Sequence, residues 1–202
     1  MQNRNLPQRP SPLKEALRRL QKKPDAKIAF VGIGSELRGD DAVGVAIINR
    51  LSRNEQSSDS FLNDEGNESA LQNRIVEKTD AHSRFRFING GSAPENVLGE
   101  IKTFRPDALV FIDAVVSNRP AGTVSFIDTG NEKISGISFC THSLPLTIIA
   151  NYLRQTVPCE IFVIGIEPED LNFRADCVLT ESVARAADEI VDAISEHTIG
   201  IR

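Results

Sequence analysis

The chain has 202 residues, of which 40% are hydrophobic and 25% are charged, and its formal net charge is −5 at pH 7. This length suits one domain, and this balance is typical of a globular protein rather than a disordered one. The negative net charge disfavours nucleic acid as the main partner, because binding to phosphate groups requires a basic surface.

The cysteines and the apolar runs indicate where the protein works. Cys140, Cys159 and Cys177 form no C-x-x-C pair, which indicates reduced thiols rather than a disulfide framework. No apolar run approaches the roughly 20 residues that a membrane span needs, and the N-terminus lacks an apolar signal-peptide core. We therefore expect no membrane insertion and a cytoplasmic location.

The first part of the chain predicts a tail, a helix, and then a strand, a loop and a second helix. Residues 1–11 are polar and proline-rich and predict a loose N-terminal tail. Leucines and alanines recur at helical spacing over 12–23, which predicts an amphipathic helix. The apolar run 27–34, bounded by glycine, predicts a strand buried on both faces, and 43–51 predicts a helix.

Residues 52–83 differ in composition, because Ser, Asn, Asp, Gln and Glu dominate them. This composition predicts a polar insertion without a domain of its own, with at most one weak helix near 67–74. Long segments without regular structure are usually functional or disordered. The insertion is either a substrate-docking arm or a tolerated surface loop, and the second interpretation is favoured.

Strands and helices continue to alternate in the second part of the chain. The predicted strands are 84–88, 108–112, 122–127 and 160–166, of which 122–127 alternates most and is placed nearer an edge; the predicted helices are 94–104, 146–155 and 180–195. Alternation of this kind indicates a mainly parallel sheet. We predict an α/β fold over residues 1–202, a single three-layer domain with a five-stranded sheet and helices on both faces.

Polar residues follow the predicted strands, where ligands bind in open α/β sheets. These positions hold Glu36, Arg38, Asp40 and Asp41, then Asn89, Gly90 and Gly91, then Asp113, then His142, and finally Glu167, Glu169 and Asp170. Two carboxylates and one imidazole suit a divalent transition ion with open coordination positions. Open positions allow a metal to polarise a carbonyl or to activate water.

Each candidate also has a structural interpretation. Asp40 or Asp41 would serve as a helix cap, Asp113 would bond loop amides, His142 would be structural or solvated, and 167–170 would form an exposed acidic turn. Leu37 stands where a dinucleotide-binding loop requires its third glycine, so that fingerprint is broken. Cys140 lies close to His142 in sequence, but nothing else supports a cysteine nucleophile.

Five short sequence blocks occur in order between residues 27 and 170. They are VGIGSELRGDDAVG at 31–44, GGSAPEN at 90–96, FIDA at 111–114, THSLP at 141–145 and GIEP at 165–168. Together they resemble the [NiFe]-hydrogenase maturation endopeptidases, and they are most similar to the branch that serves formate-hydrogenlyase-type and related hydrogenases. The resemblance implies an enzyme that removes the C-terminal extension of a large-subunit precursor after nickel has been inserted.

The resemblance also implies a site. Asp41, Asp113 and His142 match the family's metal-binding and catalytic triad, and Asn89 with the two following glycines is expected to help position the substrate. The nickel is expected to arrive with the substrate, so the isolated protein need not hold any metal. Asn89 replaces a frequent aspartate, and Ala42 a frequent glycine.

Two other functions remain open from the sequence. One is a non-catalytic chaperone that checks the precursor for nickel and does not cut it. The other is a general metallohydrolase that carries its own zinc. The three candidates differ in whether the precursor loses mass, and in whether that loss requires nickel on the precursor.

Overall fold

The computed structural model describes residues 12–20, 25–58, 84–130, 138–139, 146–174, 176 and 178–199. The helices are α1 (Pro12–Leu20), α2 (Val43–Ser58), α3 (Leu98–Phe104), α4 (Leu146–Thr156) and α5 (Glu181–Ile199). The strands are β1 (Ile28–Ile33), β2 (Phe85–Gly91), β3 (Ala108–Val116), β4 (Val124–Asp128), β5 (Ser138–Phe139) and β6 (Glu160–Ile166). Short 3-10 turns at Gly39–Ala42 and Pro94–Val97 precede α2 and α3.

The main sheet has five strands in the order β2-β1-β3-β6-β4. The first four strands are parallel, and β4 runs antiparallel at the edge beside β6. The two-residue strand β5 pairs antiparallel with the end of β3. The predicted α/β fold with a mainly parallel five-stranded sheet is confirmed, and so is the edge position of the strand predicted at 122–127.

Helices cover both faces of the sheet. Successive side chains of each strand point to opposite faces, so a strand with a continuous apolar sequence has apolar side chains on both. In β1, Ile28 and Phe30 pack against α1, α2 and α5, while Ala29 and Val31 pack on the side of α3 and α4. Every residue of β1 is buried. This two-sided burial is the reason why the central strands have continuous apolar sequences.

No helix within the described ranges is long and apolar enough to cross a membrane.

Several predicted boundaries are wrong. Helix α2 continues to Ser58, so 52–58 belong to that helix rather than to the polar insertion. Strand β2 continues to Gly91, because its last residues still pair with β1. Strand β3 passes through Asp113 to Val116, because β6 and then β5 continue to pair with it.

Other predictions fall outside the described part of the chain. These are the tail 1–11, the end of the first helix at 21–23, the remainder of the insertion at 59–83 and His142 with its neighbours.

The helix predicted at 94–104 consists of a 3-10 turn followed by α3.

Gly44 allows α2 to approach the sheet closely between β1 and β3. A Cβ atom at position 44 would lie 2.1 Å from the Ile112 carbonyl oxygen and 2.4 Å from the Ile33 carbonyl oxygen. Both distances are far below van der Waals contact. The missing side chain therefore sets how closely the first turn of α2 sits against the carboxyl ends of these two strands.

We expect Gly44→Ala to lower the free energy of unfolding by about 3 kcal/mol, because the methyl group must push α2 away from two backbone carbonyls. Gly99→Ala in α3 is the matched control, since nothing lies within 4 Å of the added Cβ. The control should be neutral or up to about 1 kcal/mol more stable through helix propensity. Denaturant titration of both variants measures the difference, and equal stabilities would contradict the close-packing argument.

His197 is a half-buried histidine in α5. Its ring lies edge-on to Phe85 with the centroids 6.5 Å apart, and its buried Nε2 has no hydrogen-bond partner among the residues that the structure describes. Burial, together with the positive charges of Arg18 and Arg84, lowers the pKa of His197 below its ordinary value of 6.5.

The lowered pKa makes stability depend on pH. Below about pH 6.5 the unfolded chain binds a proton at this histidine while the folded chain resists it, so stability falls as the pH falls through this range. We expect His197→Phe to reduce the loss of unfolding free energy between about pH 7.5 and about pH 5.5, by less than about 1 kcal/mol. Thermal melts at both pH values test this, and an unchanged loss would show that the pKa of His197 is the same in the folded and the unfolded chain.

Candidate functional site

The site lies where the order of strands changes direction. From β1 the chain passes through α2 to β2 on one side, while β3 lies on the other side of β1. In open α/β sheets a crevice forms at the carboxyl ends of the strands beside such a switch point. In this protein that position is bordered by the loop after β1 and by the end of β3.

Asp41 is fully buried in the turn that precedes α2. Its Oδ2 accepts a hydrogen bond of 2.9 Å from the Ser35 backbone N–H, which closes the loop after β1. Gly34, with φ of +137°, lets the backbone pass the Asp41 carbonyl, where a Cβ would lie only 1.7 Å from the oxygen. The fold therefore holds this carboxylate directly beyond the end of β1.

Asp113 is also fully buried, and it lies inside β3 opposite Gly165 of β6. Residues two apart in a strand share a face, so Asp113 lies on the same face as Leu109 and Phe111, which α3 and α4 cover. The turn Gly39–Ala42 contacts β3. Asp41 and Asp113 are thus brought to the same edge of the sheet from neighbouring strands. Burial of a carboxylate costs desolvation free energy. Ionisable groups in such environments are found more often at functional sites than elsewhere.

His142 lies outside the described residues, so its predicted place beside the two carboxylates stays a prediction. It precedes α4, which packs on the same face as Asp113. No group of three or more metal-ligating side chains occurs within the described ranges, which do not include His142.

Asp40, next to Asp41, is a structural residue. It is fully buried, and its Oδ2 accepts hydrogen bonds from the backbone N–H groups of Glu169 (2.8 Å) and Asp170 (2.9 Å) and from the Thr180 hydroxyl (2.9 Å). Its Oδ1 accepts a further bond of 2.7 Å from the Thr180 N–H. The prediction of a cap on the following helix is wrong for Asp40, because its partners belong to the segment that leads into α5.

Glu167 is buried at the end of β6, so the predicted exposed acidic turn is wrong for this residue. Its carboxylate accepts hydrogen bonds from the Ser117 N–H and hydroxyl and from the Asn118 N–H. These bonds fix the turn after β3, where Asn118 has a left-handed φ of 60°. Glu169 is exposed, in agreement with the prediction.

The predicted substrate-binding residues border the same edge. The Gly34 N–H donates to the Gly91 carbonyl at 2.9 Å, so the glycines lie beside the start of the loop after β1. The Asn89 side chain accepts from the Gly91 N–H and donates to Asn49 in α2. Asn89 therefore turns toward α2, on the opposite face from Asp113.

Cysteine chemistry finds no support among the described residues. Cys159 is partly buried, and burial raises the pKa of its thiol to about 11, which leaves it protonated and unreactive. Cys140 and Cys177 lie outside the described residues.

Sequence reasoning missed Thr180 and two exposed apolar side chains, Leu37 and Phe173. The Thr180 carbonyl accepts the first helical bond of α5 from Ala184, so Thr180 stands at the N-cap position. Its place before an apolar-periodic helix could have identified it as a cap. Phe173 could have been noticed as a large aromatic residue within a polar loop.

Comparison with known proteins gives a consistent result. The family model described as HycI, hydrogenase maturation protease, matches residues 69–197. A protein of Methanocaldococcus jannaschii that carries the name hydrogenase maturation protease is 31% identical over 170 residues, which are 84% of this chain and 87% of that protein. The hydrogenase 3 maturation protease of Escherichia coli K12 is 31% identical over 86 residues, or 43% of this chain and 54% of that protein.

A solved structure agrees over nearly the whole fold. The crystal structure of the [NiFe] hydrogenase maturation protease HycI from Thermococcus kodakarensis superposes with a TM-score of 0.68 at 26% sequence identity. The match covers 91% of this chain and 99% of that one.

Proposed function

Since the chain belongs to the HycI family of hydrogenase maturation proteases, we propose that it removes the C-terminal extension of a [NiFe]-hydrogenase large-subunit precursor once nickel has been inserted. The reaction is hydrolysis of one peptide bond, and the partner is that precursor protein. We keep the cytoplasm as the expected location.

The observation that carries this proposal is the pair of fully buried carboxylates, Asp41 and Asp113, at the carboxyl ends of adjacent strands. Two carboxylates at one edge of a sheet concentrate negative charge there, and a cation bound between them would stabilise that charge. Their position beside the switch point of the sheet is the usual place for ligands in this class of fold.

We assign Asp41, Asp113 and His142 as the groups that meet the nickel carried by the precursor. Oxygen and imidazole nitrogen ligands suit Ni²⁺, and three of them leave room for an ion that substrate side chains already hold. Such an ion would position the tail and polarise the scissile carbonyl or a water molecule. Asn89, Gly90 and Gly91 are assigned to positioning the tail. The glycines border the loop that carries Asp41, and the Asn89 side chain holds the Gly91 N–H in place.

Access to the site needs a local change. Asp41 and Asp113 are each 0% exposed, so an ion held by another protein reaches them only when the covering residues move aside. We expect precursor binding to provide this movement, which would keep the site closed toward other proteins. This coupling between partner binding and site opening accounts for an endopeptidase that acts on one substrate.

The test mixes the purified protein with nickel-loaded and nickel-free precursor and follows the precursor mass. Loss of the tail from the nickel-loaded form alone supports the proposal. Binding without any change of mass would instead assign a nickel-checking chaperone. Cleavage of unrelated proteins by a form that contains stoichiometric zinc would assign a general metallohydrolase.

A further inference from the structure

Three exposed apolar side chains lie on two adjoining loops at the carboxyl edge of the sheet. Leu37, on the loop after β1, is 51% exposed, and Phe173 and Val178, on the segment between β6 and α5, are 73% and 54% exposed. The Arg174 N–H donates to the Leu37 carbonyl at 2.9 Å, so the two loops run side by side. We call these three side chains the edge patch.

Hydrogen bonds and ion pairs hold the two loops in place. Asp40 binds Asp170 and Thr180, on either side of Phe173 and Val178. The Arg174 guanidinium lies 3.4 Å from the Asp170 carboxylate and 2.9 Å from that of Asp176. These contacts do not involve the side chains of the edge patch, which remain exposed to solvent although the residues beside them are held in place.

Exposed apolar residues on preformed loops are typical of protein interfaces. A single exposed hydrophobic residue needs no explanation, but three on adjoining loops beside a candidate site form a group. Aromatic side chains are enriched in interfaces and often dominate their affinity. A loop already held in one conformation also loses little entropy when a partner binds to it.

We propose that the edge patch docks an apolar surface on the folded body of the protein substrate, beside its C-terminal tail. This inference rests on the proposed function, since it takes the large-subunit precursor as the occupant. Leu37 and Asp41 belong to one loop, so a partner bound to the edge patch would bring its tail to Asp41 and Asp113. Binding energy from this remote contact would then select the substrate.

The test uses the double variant Leu37→Ser/Phe173→Ser in steady-state cleavage of nickel-loaded precursor. We expect KM to rise about tenfold and kcat to change less than about twofold, because truncation of interface anchors weakens binding without touching the reacting groups. Tyr152→Ser is the matched control and should keep the wild-type KM. Tyr152 is 43% exposed on α4, which lies in the layer of α3 and not in that of α2 and α5. Phe173→Leu keeps an apolar side chain and should stay near the wild-type KM.

Thermal melts first establish that the double variant is folded, as its two exposed positions imply. A wild-type KM in the double variant would overturn the docking role, and so would a loss confined to kcat. A dimer that dissociates in the variant while KM stays constant would assign the edge patch to a second copy of the chain.

A titration of precursor binding separates this inference from the proposed function. If the wild-type protein cuts no precursor, the proposed function fails. Binding that is about tenfold weaker in the double variant would still support the edge patch as the docking surface. Equal binding by the wild-type protein and the double variant would overturn it, whatever the outcome of the cleavage assay.

Discussion

Asp41→Asn and Asp113→Asn are each expected to slow precursor cleavage about a thousandfold, because each removes a negative charge from the place where the substrate-held ion must bind. The amide is nearly the same size as the carboxylate, so packing is retained. At position 41 the amide oxygen can still accept the Ser35 hydrogen bond. Single-turnover assays that follow precursor mass measure the effect.

The matched control is Asp188→Asn, which makes the same chemical change at an exposed carboxylate that pairs with Arg50. It should cut at the wild-type rate. The double variant of Asp41 and Asp113 should be no slower than the slower single variant, because residues that act as one unit are not additive. His142→Ala belongs to the same unit and should abolish cleavage as well.

Wild-type cleavage by Asp41→Asn would contradict the assignment. Normal cleavage by Asp41→Ala, accompanied by a stability loss of about 1 kcal/mol, would show that Asp41 only closes the loop through Ser35.

Asp40→Asn is expected to lower the free energy of unfolding by about 3–5 kcal/mol, although it makes the same chemical change one residue away. The Asp40 carboxylate accepts four hydrogen bonds inside the protein, and an amide places its own N–H groups against some of those donors. Denaturant titration measures the loss. Hydrogen exchange should show that the amide of Thr180 loses its protection.

Asp188→Asn again serves as the control, with an expected change below about 1 kcal/mol for an exposed ion pair. A stability loss in Asp40→Asn no larger than in this control would mean that water replaces the lost bonds. The contrast between Asp40 and Asp41 is the sharper readout, since one substitution should mainly affect the fold and the other mainly cleavage.

The sequence alone was sufficient for the architecture, because the central strands are buried on both faces and therefore have continuous apolar sequences. The sequence did not predict where strands end, because pairing with strands that are distant in sequence decides the length of each strand. Strand β3 continues past Asp113 only because β6 and β5 pair with it, and neither partner is visible in the local sequence.

The candidate site was predictable in part for a similar reason. Residues that follow parallel strands meet at one edge, so the order of strands along the chain is enough to group Asp41 with Asp113. Which aspartate of the adjacent pair is structural could not be predicted, since the partners of Asp40 lie 129 to 140 positions further along the chain. Those contacts join the turn before α2 to the start of α5, and the two helices also pack against each other.

Asp40 binds both ends of the segment that carries Phe173 and Val178. Glu169 and Thr180 bind the same carboxylate, so these two ends of the segment are held together by Asp40 rather than by the apolar side chains between them. The entropy cost of such a closure rises by only about 0.6 kcal/mol for each doubling of length. That stretch can therefore be exchanged as a cassette, with Phe173 and Val178 replaced together. Transfer of this segment between relatives should change which precursor is bound, while Asp41 and Asp113 stay unchanged.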